Sequence, residues 1–163
     1  MSEVDEKKEQ AAVSEKQFSI QKIYVRDISF ETPNTPHVFQ EKWEPETNMQ
    51  LGNKAVVLAD GVHEVTLSVT VTAKLGDKTA YLAEVQQCGI FNVSGYEQGE
   101  LAPIVGSLCP NILFPFAREA ISDLVTRGGF PQLLLSPVNF DALFAEYAQQ
   151  QKQQDSKKSA VQH

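Results

Sequence analysis

Three carboxylates and one leucine have the clearest claim to a chemical task in this sequence. They are Asp27, Glu31, Glu84 and Leu82. Asp27 and Glu31 stand four residues apart, about 13 Å at the rise of a strand and on the same face of it. Leu82 and Glu84 share a face of a second strand, among polar neighbours. An apolar side chain beside carboxylates on an open sheet is a contact surface for a partner protein, and negative charge there favours a basic partner. An ordinary solvated sheet face carries the same residue types. A second set is aromatic and apolar: Phe39, Trp43, Met49 and Leu51, within a long connection between strands. Aromatic rings and methionine suit a groove for extended apolar peptide, because they offer area without demanding one partner shape. A loop folded down to cover the sheet uses the same side chains.

Groups that would support catalysis are scattered. His37, His63 and His163 lie far apart in sequence, so they form no spaced metal-ligand set. Cys88 and Cys109 form no C-x-x-C and read as free thiols of a reducing compartment. Neither a phosphate-binding glycine loop nor a G-x-S-x-G elbow occurs. Binding is therefore expected rather than catalysis.

The net charge of -7 disfavours nucleic acid, which needs clustered Lys and Arg. Between the two tails, fifteen acids face eight bases, so the middle carries all of that charge. The charged start of the chain does not read as a signal peptide, and no apolar run is expected to reach the ~20 residues of a membrane helix. A soluble, cytoplasmic chain is the expectation.

The elements that position these residues follow from periodicity. Residues 1–17 are polar and are expected to be disordered. A first strand spans Phe18 to Glu31. Phe18, Ile20, Tyr24, Ile28 and Phe30 fall on one face, with Asp27, Ser29 and Glu31 on the other. Ile23 and Val25 break that alternation. Pro33 and Pro36 stop the strand, and Asn34 to Asn53 reads as a long crossover. Ala55 to Leu58 and the Val62 to Leu75 strand flank Asp60-Gly61, a hairpin signal. Strict alternation from Glu64 to Leu75 marks one buried and one wet face. Gly76-Asp77 turns the chain into a strand over Thr79 to Val93. There Tyr81, Ala83, Val85, Phe91 and Val93 share the buried face.

Gly99, Pro103 and Gly106 argue against a long helix before Leu108. From Ile112 to Val125 an apolar stripe predicts a helix, with Asn111 placed to cap its start and Gly128 its end. The stripe is wide enough to raise a contact with a second copy through Ile112, Phe116, Ile121 and Leu124. Asn139 can cap a last helix with Phe140, Leu143, Phe144 and Tyr147 on one side, fraying from Ala148. One domain over residues 18–150 is expected, with a disordered tail at 151–163. The class is α+β: a four-stranded antiparallel sheet, a long crossover after strand 1, and two main helices packed on one face.

Five stretches, in order, resemble the SecB family of bacterial export chaperones. They are Ile23 to Glu31, Pro33 to Gln40, Cys109 to Glu119, Phe130 to Leu133 and Ser136 to Phe144. The resemblance covers about residues 18–150. It implies a homotetramer built as a dimer of dimers, binding of unfolded preproteins, delivery to the SecA ATPase, no enzyme activity and no cofactor. By position, Asp27, Glu31, Leu82 and Glu84 match the family's SecA-contact surface. The region around Trp43 matches its client groove, and the helix from Ile112 would serve the dimer–dimer contact. The tail departs from the family's usual acidic one, since Lys152, Lys157 and Lys158 outnumber Asp155. Two rival readings stand beside this one. One is a small-ligand carrier or an enzyme using the crossover cleft, and the other is a structural oligomer without a client.

Overall fold

The computed structural model describes residues 15–161. Four antiparallel strands, β1 (Gln17–Glu31), β2 (Glu46–Ala59), β3 (Val62–Leu75) and β4 (Lys78–Ser94), form one sheet in the order β1-β4-β3-β2. The crossover after β1 therefore carries the chain from one sheet edge to the other. β3 and β4 are central, and their alternation is the cleanest: Val65, Leu67, Val69, Val71 and Ala73 are fully buried on the inner face. Gly61 and Gly76 sit at φ +67° and +58° in the two tight turns, a conformation that glycine adopts without strain.

β1 is built differently from its sequence reading. Its pairing with β4 shifts by one residue between Ile20 and Lys22, and again between Val25 and Asp27. Each extra residue reverses which way the following side chains point. Ile23 and Val25 therefore join Phe18, Ile20, Ile28 and Phe30 on the inner side, while Tyr24 moves to the outer face. The apparent break in alternation is two bulges.

Met49 and Leu51, expected in the crossover, belong to β2, which begins at Glu46. Most of this edge strand is exposed, so no burial imposes alternation on its sequence. The crossover proper, residues 32–45, holds a short 3₁₀ turn (His37–Gln40) that buries Val38.

Gln98 to Arg127 is one continuous helical run, contrary to the break expected before Leu108. It comprises α1 (Gln98–Pro103), a π turn (Ile104–Leu108) and α2 (Cys109–Arg127). The Cys109 N–H reaches back five residues to the Ile104 carbonyl, and Pro110, which has no N–H to give, follows directly. Asn111 lies inside the helix and caps nothing. The N-cap of α1 is Glu97, in a reciprocal capping box with Glu100. Gly128 ends α2, and Gly129 beyond it carries the left-handed φ of +85°. By length and composition this run could cross a membrane, which the separate reading of its halves hid. Here Cys109, Leu113, Ala117, Ile121 and Val125 bury one side of it against β3 and β4.

Asn139 caps α3 (Phe140–Val161) as expected, its Oδ1 accepting from the Ala142 N–H at 3.0 Å. The helix does not stop near Ala148. Ala, Gln and Lys favour helix, and the Gln151 amide donates to the Tyr147 hydroxyl one turn back at 2.8 Å. The expected N-terminal tail and His163 fall outside the described residues, apart from Glu15 and Lys16, which precede β1, and Gln17, which opens it.

Ile121 is fully buried beneath α2. Ile121→Ala should lower unfolding free energy by about 2–5 kcal/mol, as methyl groups are lost and a cavity is left. Equilibrium urea unfolding measures it.

Candidate functional site

The two ladders beside β4 bring the acidic set together on the outer face. Glu31 pairs with Leu82, Ser29 with Glu84, and Asp27 with Gln86. Glu84 therefore sits diagonally between Asp27 and Glu31, one strand away. Its carboxylate accepts from the Ser29 and Thr70 hydroxyls, each at 3.3 Å. Asp27, Glu31 and Glu84 are exposed and Leu82 is half-buried. Among the described residues no ion pair neutralises any of the three. All three charges are thus open to a partner, with a leucine at their margin.

Next to this patch lies a network that the sequence reading missed. From β1, the Tyr24 hydroxyl and an Arg26 Nη2 donor both reach Glu64 on β3. Arg26 Nη1 lies 3.4 Å from Thr66 Oγ1, which in turn lies 3.3 Å from Cys88 Sγ. The signal that finds it is the first bulge, because only after the shift between Ile20 and Lys22 does Tyr24 face outward.

The inner face carries a groove of about 600 Å³ between β2 and α3. Met49 and Leu51 form its strand side, Leu67 its floor, and Leu143, Phe144 and Tyr147 its helix wall. Phe144 packs against Gly106 of the π turn, and the Ser107 hydroxyl donates to Asp141 beside it. Only two of the four aromatic and apolar candidates line this groove. Phe39 and Trp43 instead meet the ring of Phe130, with centroids 5.1 and 5.5 Å away, and Trp43 stacks at 6.3 Å on Tyr81. Tyr81 pairs with Ala73, which pairs with Thr47, one inner-face step from Met49. The aromatic cluster thus borders the groove at its crossover end. The wall residues of α3 were legible as a stripe, although nothing in the sequence says that the stripe faces β2.

Of the four residues expected at a contact between copies, Phe116 is half exposed at 48%, and Ile112 and Leu124 are half-buried. Ile121 is fully buried within its own chain and offers a partner nothing. A single residue step, about 100° of helix rotation, separates the two outcomes: Ala117, Ile121 and Val125 point at the sheet, Phe116 away from it.

A family model described as preprotein translocase subunit SecB matches residues 10–153. The chain belongs to the SecB family. It is similar to the protein-export protein SecB of Nitrosococcus oceani, 61% identical over 149 residues that cover 90% of each chain. That of Methylococcus capsulatus is 59% identical over 140 residues, 86% of this chain and 90% of the relative. Among solved structures, a Mycobacterium tuberculosis SecB-like chaperone in complex with a ChAD peptide of the HigA1 antitoxin shares the fold. Its TM-score is 0.63 at 16% identity, over 74% of this chain and 90% of that one. SecB membership makes the chain a chaperone of protein export, and such a family implies binding of client proteins rather than catalysis.

Proposed function

We propose that this chain is an ATP-independent holding chaperone of the cytoplasm that keeps unfolded preproteins competent for translocation and hands them to the SecA ATPase. The observation that carries this reading is the division of one sheet. An acidic patch with no ion pair among the described residues lies on its outer face, and an open apolar groove lies under its inner one. Non-native chains expose apolar stretches, which fit between Met49, Leu51 and the rings of α3, with Trp43 and Phe39 extending the surface. Several grooves in one assembly would hold several stretches of one client, so that weak contacts add through effective concentration. Capture of the unfolded form slows its folding by mass action. Asp27, Glu31, Leu82 and Glu84 form the docking surface for SecA, and charge steers and orients that encounter.

Among the described residues the groove's polar side chains are Asn53 and Tyr147, fewer than the convergent polar groups of a small-ligand site, which supports a peptide occupant. The test dilutes a denatured preprotein with and without this chain and follows light scattering, then titrates SecA into the loaded complex. Suppression near stoichiometric amounts and binding of SecA are expected. Aggregation unaffected by excess chain overturns the reading.

The homotetramer rests on Phe116, Ile112 and Leu124, whose apolar surface faces away from the sheet. Phe116→Glu places a charge there and should reduce the solution mass from that of a tetramer, while the far-ultraviolet circular dichroism stays unchanged. Sedimentation equilibrium measures it.

A further inference from the structure

Cys88 is fully buried although its side chain belongs to the outer, solvent-facing side of β4. Its flanking partners in the ladders are Tyr24 and Thr66. The side chains of Tyr24 and Arg26 start on β1 and end on Glu64 of β3, so they must pass over β4 between those strands. They roof the thiol.

We propose that Tyr24, Arg26 and Glu64 are positioning residues for the docking face: a clasp that holds edge strand β1 in its bulged register, so that Asp27 and Glu31 emerge beside Leu82 and Glu84. The proposal rests on the docking reading of that face.

Register is weakly specified in β1. Among the described residues the strand bonds to β4 alone, and its apolar residues occur at even positions (Phe18, Ile20, Ile28, Phe30) and at odd ones (Ile23, Val25). A one-residue slip exchanges the faces. With Ile23 and Val25 inward and no extra residue after them, Asp27 would also point inward and Ile28 outward. The bulge at Arg26 prevents this, but a bulged residue is left without a ladder partner. Arg26 instead finds its partner on β3, two strands away, and fastens the bulge from above.

The electrostatics agree. The hydrogen bonds from Tyr24 and Arg26 hold the Glu64 carboxyl below its ordinary range, helped by Lys54 on β2. The bond to Glu64, with burial and the nearby Cys88, pushes the Tyr24 hydroxyl up to about 12. A lowered carboxylate stabilises the fold above its unfolded value and loses that contribution as pH falls through its folded value. A raised phenol contributes fully below its ordinary value and loses it as pH rises toward 12. Between those limits both favour a closed clasp.

The test compares the full-length chain with its Tyr24→Phe/Glu64→Gln double variant. Three rates or affinities are read: Cys88 labelling by a thiol reagent, with core-buried Cys109 as internal reference; amide hydrogen exchange over residues 27–31; and SecA binding. Labelling and exchange should rise by about tenfold, the effect of losing roughly one charge-assisted hydrogen bond from an opening equilibrium. SecA affinity should fall several-fold, with suppression of aggregation unchanged. The reversed pair Arg26→Glu/Glu64→Arg should recover slow labelling and SecA affinity together. Unchanged labelling and exchange overturn the clasp, and faster exchange with undiminished SecA affinity overturns its positioning role. If Glu84→Lys itself leaves SecA binding intact, the docking face has failed, and the exchange rates alone decide the clasp.

Discussion

Glu84→Lys should weaken SecA binding by about five- to thirtyfold while leaving client capture unchanged. Glu84 stands at the centre of the acidic patch, flanked diagonally by Asp27 and Glu31, and among the described residues no ion pair neutralises it. Reversal removes one attraction to a basic partner surface and adds one repulsion. For solvent-facing charges such a change is about 1–2 kcal/mol at physiological ionic strength. The position is exposed and its hydroxyl partners, Ser29 and Thr70, are neutral, so the sheet tolerates a lysine. Isothermal titration at two salt concentrations distinguishes charge from shape. The native affinity should fall steeply with salt, the variant's less so, and Glu84→Gln should lie between. Parallel loss of client and SecA affinity would mean that the two faces do not act separately.

Gly106→Val should have the complementary effect, costing client affinity about tenfold or more and leaving SecA docking intact. A Cβ at Gly106 would stand 2.6 and 2.7 Å from Cδ2 and Cε2 of Phe144. Real contacts are longer, so the ring must leave its seat. Phe144 is part of the groove wall and seats the second turn of α3 on the π turn, so the wall shifts with it. Overpacking of this kind costs about 1–3 kcal/mol of stability, read by thermal unfolding. Adding Phe144→Ala relieves the clash, and the double variant should regain stability without regaining affinity. Client affinity unchanged in the single variant would move the binding site away from this groove.

What could be read in advance divides along lines of burial. β3 and β4 lie between other strands with one face covered, so every step of their sequences answers to the core, and Leu82 and Glu84 were placed by alternation alone. β2 is an edge with little covered, and Met49 and Leu51 therefore looked like loop residues. In β1 the pattern was present but carried two phase jumps. Bulges have no residue signature of their own here, and Tyr24 was consequently put on the wrong side. Glycines and prolines at 99, 103 and 106 normally interrupt helices, and the chain accommodates them with a turn of different pitch. The basic end was read by its polarity, whereas Ala, Gln and Lys continue a helix once Asn139 has started it. The acidic patch was legible because both of its strands could be phased locally. The groove joins residues nearly a hundred positions apart, and only the packing of α3 on Gly106 brings them together.

The π turn also sets where this gene can tolerate a missing codon. A π turn holds one residue more than an α turn over the same rotation, so deleting one amino acid within 104–108 would let the turn relax to ordinary pitch with α1 and α2 still in phase. A deletion elsewhere between Gln98 and Val125 has no residue to spare and would rotate one part of the run by about 100°, so that either Leu113, Ala117 and Ile121 swing off the sheet or α1 loses its alignment with the end of β4. Single-residue deletions in the distal part of α3 should likewise pass nearly unnoticed in a deletion scan.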